Sequence, residues 1–298
     1  MTHDASLPPD VRQWVARHLP DVDTVTDASW PRGDSRIWRV TTGEAAAFVK
    51  LYPGPEKYAR EVRGCQHAAR ALAADEAPRL LASEPGLPAV ITSALPGRVV
   101  RGLSLEAVEE RRVHQLAGQL LRRWHDHPEP VPAPVHAGIM ASVTAQADEA
   151  AACLEHLGEQ LPAAQQDLVR EVSLDLPRIA EGLRVVYRHG DYSPRNWLWD
   201  PASSRHGLID FEESGPGIAV EDLVWLCGAA WPTRPDLREA FLTGYGSRLP
   251  EAEQRALILF TARLAVSYLN TGLTKNESVL IERGRTVLGH MVRARAGW

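Results

Sequence analysis

The sequence predicts an α+β fold of two lobes, in which an antiparallel five-stranded sheet with one helix precedes a mainly helical lobe. Three observations support this prediction. The 298 residues exceed the usual size of a single domain. Five segments between residues 24 and 93 have the character of strands, whereas beyond Ser104 apolar residues recur at helical spacing. The turn signal Pro96-Gly97 lies between these regions and places the lobes at residues 1–95 and 96–298.

The N-terminal lobe is predicted to begin with a short amphipathic helix and to continue into the sheet. Residues 7–19 have apolar residues at helical spacing behind two prolines, which are tolerated where a helix begins. Three strands joined by tight loops follow, and a helix separates them from two more strands. The strands are predicted at residues 24–30, 36–41, 44–52, 78–83 and 89–93, and the helix at residues 56–72.

The C-terminal lobe is predicted to be helical apart from two short strands. These strands, residues 185–187 and 207–209, are apolar runs that each end abruptly in polar residues. A proline-rich connector is predicted at residues 128–134. The helices are predicted at residues 104–124, 141–161, 163–179, 219–230, 235–245, 251–269 and 277–296.

Composition and charge are typical of a soluble globular protein. The chain is 44% hydrophobic and 24% charged, and its net charge of -5 argues against nucleic acid as a partner. The three cysteines, Cys65, Cys153 and Cys227, lie far apart and favour neither disulfides nor a zinc site. We find no signal peptide and no apolar run near the roughly 18 residues that span a bilayer. We therefore expect a cytoplasmic protein that does not bind membranes.

The polar residues after the two short strands carry the strongest functional signal. Asp191 follows the first strand, Asn196 stands five positions later, and Asp210 ends the second strand. Phosphoryl transfer needs a carboxylate that orients a hydroxyl, together with amide and carboxylate oxygens as ligands for Mg²⁺. The D-x-x-x-x-N spacing alone is a weak signal, and the alternative is a hairpin with polar turns. The strands on both sides favour phosphoryl transfer.

These motifs, HGDYSPRN and IDFEES, resemble those of the aminoglycoside phosphotransferase family, which is related to choline kinases and protein kinases. The resemblance implies a bilobal protein-kinase-like fold that binds ATP or GTP between its lobes. It also implies that Asp191 is the catalytic base and that Asn196 and Asp210 hold Mg²⁺. His189 and Gly190 are expected to shape the loop rather than to take part in the chemistry.

Lys50 is a predicted nucleotide-binding residue. Lysine occurs only at positions 50, 57 and 275 of this arginine-rich chain, so each retained lysine calls for an explanation. Lys50 closes an otherwise apolar strand, where an unpaired charge is costly, and Glu61 on the next helix is its natural partner. This arrangement resembles the lysine–glutamate pair of kinases. The alternative is a lysine at a strand edge that extends into solvent, beside a solvated glutamate.

Further residues are assigned by the resemblance. Ser35 and backbone N–H groups of the first loop, residues 31–35, are candidate phosphate contacts, although the single Gly33 makes this loop a weak signal. In the hinge that follows the sheet, Thr92 matches the gatekeeper, and Ser93 and Leu95 supply backbone contacts to the base. The residues at this hinge leave the choice between ATP and GTP open.

The C-terminal lobe adds two assignments. Asp222 matches an aspartate that braces the catalytic loop in the family, with Arg195 as its candidate partner. The triplet His125-Asp126-His127 lacks the spacing that converges on a metal ion, so we expect His125 to be a packing residue.

The acceptor substrate remains open at this point. The family resemblance favours an antibiotic that is inactivated by phosphorylation: an aminoglycoside, nucleoside, peptide or macrolide. Four arginines make the C-terminal helix basic, which favours an uncharged or weakly cationic acceptor: Arg283, Arg285, Arg293 and Arg295. The alternatives are a kinase of choline, a sugar or an amino-alcohol, and a kinase-like binding module without turnover. The sequence does not decide between a monomer and a dimer.

Overall fold

The computed structural model describes residues 6–29, 35–43, 45–246 and 248–296. The chain divides into two compact units. The first unit consists of Met1–Ser104 together with His189–Gly215. The second consists of Leu105–Arg188 and Pro216–Trp298. All of the predicted catalytic, metal and nucleotide residues therefore belong to the first unit. The predicted lobe bounds, 1–95 and 96–298, remain a prediction.

The first unit contains an antiparallel five-stranded sheet in which the third strand is central. The strand order is β1-β2-β3-β5-β4. Lys50 lies on β3 between Ile37 of β2 and Val90 of β5. Small and β-branched side chains of β3 and β5 pack the interior of the sheet. The strands are Thr24–Asp27 (β1), Arg36–Thr42 (β2), Ala45–Leu51 (β3), Leu80–Glu84 (β4) and Ala89–Ser93 (β5).

Two helices accompany this sheet. Pro9–His18 (α1) buries Val11, Trp14 and Val15, which pack with the inner residues of the sheet. Pro55–Ala71 (α2) begins with proline at its first position, where the missing N–H is no loss. It buries Tyr58, Glu61, Cys65 and Ala68, a single face at helical spacing. The buried glutamate on this apolar face requires a partner.

A three-stranded sheet carries the second part of the first unit. Its order is β6-β8-β9, from Arg98–Val99 (β6), Trp197–Asp200 (β8) and Arg205–Leu208 (β9). Asn196 immediately precedes β8, and Asp210 follows β9 after a single intervening residue. The antiparallel pairing of β8 with β9 brings the start of one strand next to the end of the other. The two predicted metal ligands are therefore brought to the same end of this hairpin.

The second unit is mainly helical. Its two longest helices each have buried residues along their length. The strands Val185–Arg188 (β7) and Gly215–Ile218 (β10) pair to form a two-stranded sheet. The segment Ala219–Leu223 forms a 3₁₀ turn before the helix that follows it. The helices are Ala107–Asp126 (α3), Ala133–Leu157 (α4), Ala163–Ala180 (α5), Val224–Ala229 (α6), Pro235–Tyr245 (α7), Glu251–Lys275 (α8) and Ser278–Ala296 (α9).

The predicted fold class is confirmed, and the local predictions were wrong in three places. The strands β6, β8 and β10 were not predicted. The connector at 128–134 is shorter than predicted, because Pro134 lies in the first turn of α4, where proline fits a helix. The helix predicted at 219–230 is a 3₁₀ turn followed by α6. Loop residues 31–34, including Gly33, lie outside the described part of the chain.

Helix α8 is long and apolar enough to cross a membrane by length and composition, although no such segment was predicted from the sequence. However, 61% of its apolar window is buried inside the fold. A helix that is apolar on most sides is also what the interior of a helical unit requires. The composition of α8 is thus accounted for by packing.

Candidate active site

Three ionisable side chains meet beneath the central strand of the first unit. The ammonium Nζ of Lys50 donates to Oε1 of Glu61 at 3.2 Å and to Oδ1 of Asp210 at 2.8 Å. The other oxygen of Glu61 accepts the backbone N–H of Phe211 at 2.8 Å. Glu61 thus links helix α2 to both the lysine and the segment that carries Asp210. The sequence predicted the contact between Lys50 and Glu61 but not the contact with Asp210.

Burial and opposite charge set the protonation of this cluster. Burial alone would lower the pKa of Lys50, but Asp210 and Glu61 outweigh it and raise that pKa above its ordinary value. Burial opposes ionisation of Asp210 as well, yet the charge of Lys50 lowers its pKa below the ordinary value. For Glu61, burial prevails over Lys50 and raises the pKa. At neutral pH, Lys50 and Asp210 therefore form a charged pair.

The backbone at Asp210 adopts an uncommon conformation. Its φ of 71° lies in the left-handed region, which costs a non-glycine residue on the order of 1 kcal/mol. Hydrogen bonds hold this conformation on both sides, since Ile209 N–H donates to the carbonyl of Asn196 and Phe211 N–H donates to Glu61. Such strain is found where a side chain must point in a defined direction.

Asp191 is held through one of its two carboxylate oxygens. Oδ2 accepts hydrogen bonds from Nδ2 of Asn196 at 2.6 Å, from Nε of Arg195 at 2.7 Å and from Nη2 of Arg195. Among the described residues, Oδ1 of Asp191 accepts no hydrogen bond. The Asp191 side chain is 19% exposed. One oxygen thus fixes the carboxylate, and the other is available to a substrate hydroxyl.

His189 and Gly190 shape the loop that presents Asp191. Nδ1 of His189 accepts the backbone N–H of Asp191, so the other ring nitrogen donates to the carbonyl of Ile209 at 3.2 Å. His189 is fully buried against the rings of Tyr192 and Phe211. Gly190 has a φ of 84°, and a side chain there would overlap the carbonyl of Glu213. These contacts agree with the predicted structural role of both residues.

Asn196 and Asp210 offer donor atoms that fit a magnesium ion. Because Nδ2 of Asn196 donates to the carbonyl and to the carboxylate of Asp191, its Oδ1 is left as the free end of the amide. Oδ1 of Asp210 accepts from Lys50, whereas Oδ2 makes no hydrogen bond among the described residues. Amide and carboxylate oxygens are the hard ligands that Mg²⁺ prefers.

These side chains share a cavity of about 300 Å³ within the first unit. Its polar lining includes Lys50, Asn196 and Asp210. Its apolar lining comes from both sheets and the segments next to them, and consists of Ala28, Ile37, Phe48, Pro78, Leu95, Val99, Leu198 and Ile209. A concave site with an apolar wall and a few converging charged groups is typical of a ligand pocket.

The predicted hinge residues line the same cavity. Thr92 is buried, and both Ser93 and Leu95 belong to the lining. Ser93 donates its N–H to the carbonyl of Arg79 and accepts the N–H of Arg79 on its hydroxyl. The backbone N–H and carbonyl of Leu95 make no hydrogen bond in the described part of the chain. Leu95 therefore has both backbone groups available for a base.

Ser35 contacts a carboxylate in this structure. Its hydroxyl donates to Oε2 of Glu212 at 2.9 Å, and Lys57 of α2 donates to Oε1 of the same residue at 3.0 Å. Arg60 pairs with the neighbouring Glu213 at 3.2 Å. The scarcity of lysine had singled out Lys57, but sequence alone did not reveal its partner. These pairs tie α2 to the residues that follow Asp210.

The pairing of Arg195 with Asp222 that the family resemblance implied differs from the observed contacts. Arg195, expected as a partner of Asp222, binds Asp191. Asp222 contacts Nε2 of His125 at 2.9 Å within the second unit. His125 is buried as expected of a packing residue, and its other ring nitrogen bonds the hydroxyl of Tyr245. Among the described residues, no cluster of three or more His, Cys, Asp or Glu side chains suits a metal ion.

Three solved structures have a similar fold and low sequence identity to the chain. The gentamicin complex of APH(2")-IIa is 15% identical, with a TM-score of 0.67 over 97% of this chain and 99% of that chain. The macrolide 2'-phosphotransferase MphH from Brachybacterium faecium is 18% identical, with a TM-score of 0.62 over 94% and 96%. A choline/ethanolamine kinase family protein from Mesorhizobium loti is 18% identical, with a TM-score of 0.62 over 96% and 93%. These likenesses show the fold.

The family is shown by the sequence itself. Residues 31–258, most of the chain, match the profile of the APH phosphotransferase enzyme family. A comparison with curated protein sequences finds no match. The matched range includes every predicted catalytic, metal and nucleotide residue. The predicted enzyme class is thereby confirmed, and the chain belongs to the APH phosphotransferase enzyme family.

Proposed function

We propose that the protein transfers the γ-phosphate of ATP or GTP to a hydroxyl group of a small antibiotic and thereby inactivates it. The observation that carries this proposal is the convergence of Lys50, Asn196 and Asp210 on one cavity, with Asp191 bonded to Asn196. A hairpin with polar turns would not require a buried lysine–carboxylate cluster beneath it. The cost of burying these charges supports a functional site.

In the proposed reaction, Lys50 binds the α- and β-phosphates and Asp191 receives the acceptor hydroxyl on its free Oδ1. The hydroxyl oxygen attacks the γ-phosphorus, a new O–P bond forms, and the bond from that phosphorus to the β-phosphate oxygen breaks. The hydroxyl proton passes to Asp191, and the products are a phosphate ester and a nucleoside diphosphate. A positioned general base contributes about 10²–10⁴-fold in rate.

Asn196 and Asp210 would hold Mg²⁺ through the oxygens that hydrogen bonds leave free. When bound, this ion would neutralise charge on the phosphate groups. The lysine contact of Asp210 leaves its second oxygen to the ion. Ser35 is proposed as a phosphate contact and Leu95 as the backbone contact to the base, with Ser93 beside it. We place the enzyme in the cytoplasm.

We propose an uncharged or weakly cationic acceptor. Polycationic acceptors call for unpaired carboxylates, but three carboxylates on α4 and α5 already contact arginines of α8 and α9. The pairs are Glu149 with Arg263, Asp175 with Arg255, and Glu171 with Arg295. In the first unit, Glu212 and Glu213 contact Lys57 and Arg60 in the same way. This pairing supports a nucleoside or another antibiotic of low charge.

The test is a coupled assay of nucleotide consumption, with ATP and GTP in parallel, against aminoglycoside, nucleoside, peptide and macrolide antibiotics and choline. We expect turnover that depends on an antibiotic hydroxyl. Turnover with choline or a sugar alone would make the protein a metabolite kinase instead. Nucleotide binding without any turnover would favour a binding module.

The variant Asp191→Ala tests the assignment of the catalytic base. It should lower turnover about 10³-fold, because the base is lost, while nucleotide binding remains. Asp200→Ala changes the same residue type in the same unit at the end of β8 and serves as the control. An Asp191→Ala enzyme with wild-type turnover would show that the base has been assigned wrongly.

A further inference from the structure

Arg195 lies beside the proposed base and lines the cavity. It stands four residues after Asp191 and one before Asn196, so its direction is fixed by the same loop. Its side chain is 48% exposed, in contrast to the 11% of Lys50. The cavity lining includes Arg195 together with Lys50, Asn196 and Asp210. Arg195 therefore combines a half-exposed side chain with a place in the lining of the cavity assigned to the phosphates.

Only one edge of this guanidinium is occupied. Nε and one N–H of Nη2 donate to Oδ2 of Asp191. A guanidinium carries five N–H donors, so the edge formed by Nη1 and the second N–H of Nη2 keeps three. No hydrogen bond to this edge is present among the described residues. Two parallel N–H groups at such an edge match two oxygens of a phosphate.

The charges around the cavity favour an anion at this edge. Lys50 is already bound by two carboxylates, those of Glu61 and Asp210, whereas Arg195 forms an ion pair with Asp191 alone in the part of the chain that the structure describes. The positive charge of Arg195 also acts on Asp210, although burial and then Lys50 have the larger effects on that carboxyl. A triphosphate brings several negative charges to this cavity. Arg195 keeps three N–H donors for them, whereas Lys50 keeps one.

We propose that Arg195 is a further catalytic residue, which contacts the γ-phosphate through its free edge while its other edge holds Asp191. This inference rests on the proposed function. The guanidinium forms and breaks no covalent bond and keeps its protons. The hydroxyl proton still passes to Asp191. The contact stabilises charge on the transferring phosphoryl group. Because the same planar guanidinium also binds Asp191, it aligns the phosphoryl group with the base.

A contact to the γ-phosphate has a consequence that does not depend on the acceptor. A nucleoside diphosphate lacks the γ-phosphate, so Arg195 should add affinity for the triphosphate alone. If Arg195 only positioned Asp191, both nucleotides would bind the Arg195 variants as they bind the wild type. The two roles are thus separated by a binding measurement.

The experiment compares the full-length wild type with Arg195→Gln and Arg195→Ala. Calorimetry with Mg²⁺ measures the affinities for non-hydrolysable triphosphate analogues and for ADP and GDP. We expect Arg195→Gln to lose about tenfold in triphosphate affinity with unchanged diphosphate affinity. Turnover with the acceptor found in the panel should fall about 10²–10³-fold. Added guanidinium ion should restore part of the turnover of Arg195→Ala.

Arg205→Gln is the matched control, since Arg205 pairs with Asp75 in the same unit and is similarly exposed. It should behave as the wild type. Unchanged triphosphate preference in Arg195→Gln would overturn the proposed contact, even if its turnover fell, because that result assigns Arg195 a positioning role only. A wild type that binds neither nucleotide would overturn the proposed function and this inference together. If the wild type binds nucleotide without turnover, the binding data alone decide: a loss of triphosphate affinity in Arg195→Gln supports the contact, and an unchanged affinity overturns it.

Discussion

A buried charge cluster of the first unit and an exposed ion pair of the second unit show two different uses of charge. In the first unit, the side chains of Lys50 and Glu61 are 11% and 3% exposed, and Asp210 completes the buried cluster. In the second unit, Arg255 and Asp175 form a pair whose side chains are 54% and 28% exposed. The groups have the same charges at similar distances, 2.8 Å and 2.5 Å for the shorter contacts. The difference lies in how much water each pair has lost.

This difference indicates what each pair is for. An exposed ion pair contributes about 0–1 kcal/mol, because water competes with it. A buried pair must first be desolvated, and that cost is often as large as the attraction it gains. The cluster around Lys50 is therefore a poor means of stabilising a fold. Its position at a cavity that Asn196 and Asp210 also line supports the proposed role in binding and catalysis.

The strongest way to break the buried cluster is Lys50→Met. Loss of the cation leaves two carboxylates facing each other and removes the proposed phosphate contact, so turnover should fall about 10²–10³-fold. The pKa of Glu61 is already raised, so this carboxylate can take up a proton once the lysine is gone. Urea unfolding should therefore show a smaller loss of stability than if Glu61 stayed charged. The same change at exposed Lys275 is the control. Equal turnover in the two variants would contradict the assignment.

Gly190→Ala tests the loop that presents Asp191. The left-handed backbone and the overlap with the Glu213 carbonyl should cost about 3 kcal/mol of unfolding free energy. Gly215→Ala is the matched control in the same unit, because a Cβ there meets no atom within 4 Å. Urea titration of both variants measures the difference. Similar stabilities would show that the loop can adjust.

His114 of α3 extends the comparison to a buried group on which burial outweighs the nearby carboxylates of Glu110 and Asp236. Burial lowers its pKa from 6.5 to about 4. The unfolded chain therefore takes up a proton between these values while the folded chain does not. Stability should fall as the pH drops through this window, by about 2 kcal/mol between about pH 7 and about pH 5. Urea midpoints at the two pH values measure this loss.

A His114→Gln variant should show a smaller loss over the same interval, since glutamine does not titrate. The same change at exposed His136 is the control and should follow the wild type. An unaltered pH dependence in His114→Gln would assign the acid sensitivity to other groups.

The smallest effect is expected for Arg255→Ala. The exposed pair with Asp175 should contribute less than about 1 kcal/mol, and the contribution should shrink as salt rises. A double-mutant cycle with Asp175→Ala, measured by urea unfolding at low and high salt, isolates the pair. A coupling energy well above about 1 kcal/mol would contradict the small contribution expected of an exposed pair.

The site could be predicted from sequence to the extent that its residues lie close along the chain. Asp191 and Asn196 share one loop, and their contact follows from a five-residue spacing. Lys50 and Glu61 lie on adjacent elements, and an unpaired charge inside an apolar strand demanded a partner. The strand β8, Trp197–Asp200, was missed although it is as long as β7 and β9, because it lies directly behind the loop motif and its pairing with β6 joins segments far apart in the chain.

The sequence by itself determined the fold class, the family motifs and the candidate reactive groups, because periodicity and functional-group chemistry are local properties. Only the tertiary structure decided which oxygen of each group is free. In the structure, Lys50 forms an ion pair with Asp210 as well as with Glu61. Arg195 pairs with Asp191 rather than with Asp222. Such pairings depend on distances between segments far apart in the chain. By charge alone, any arginine of the chain could pair with any carboxylate. The packing of the folded chain determines which pairs form.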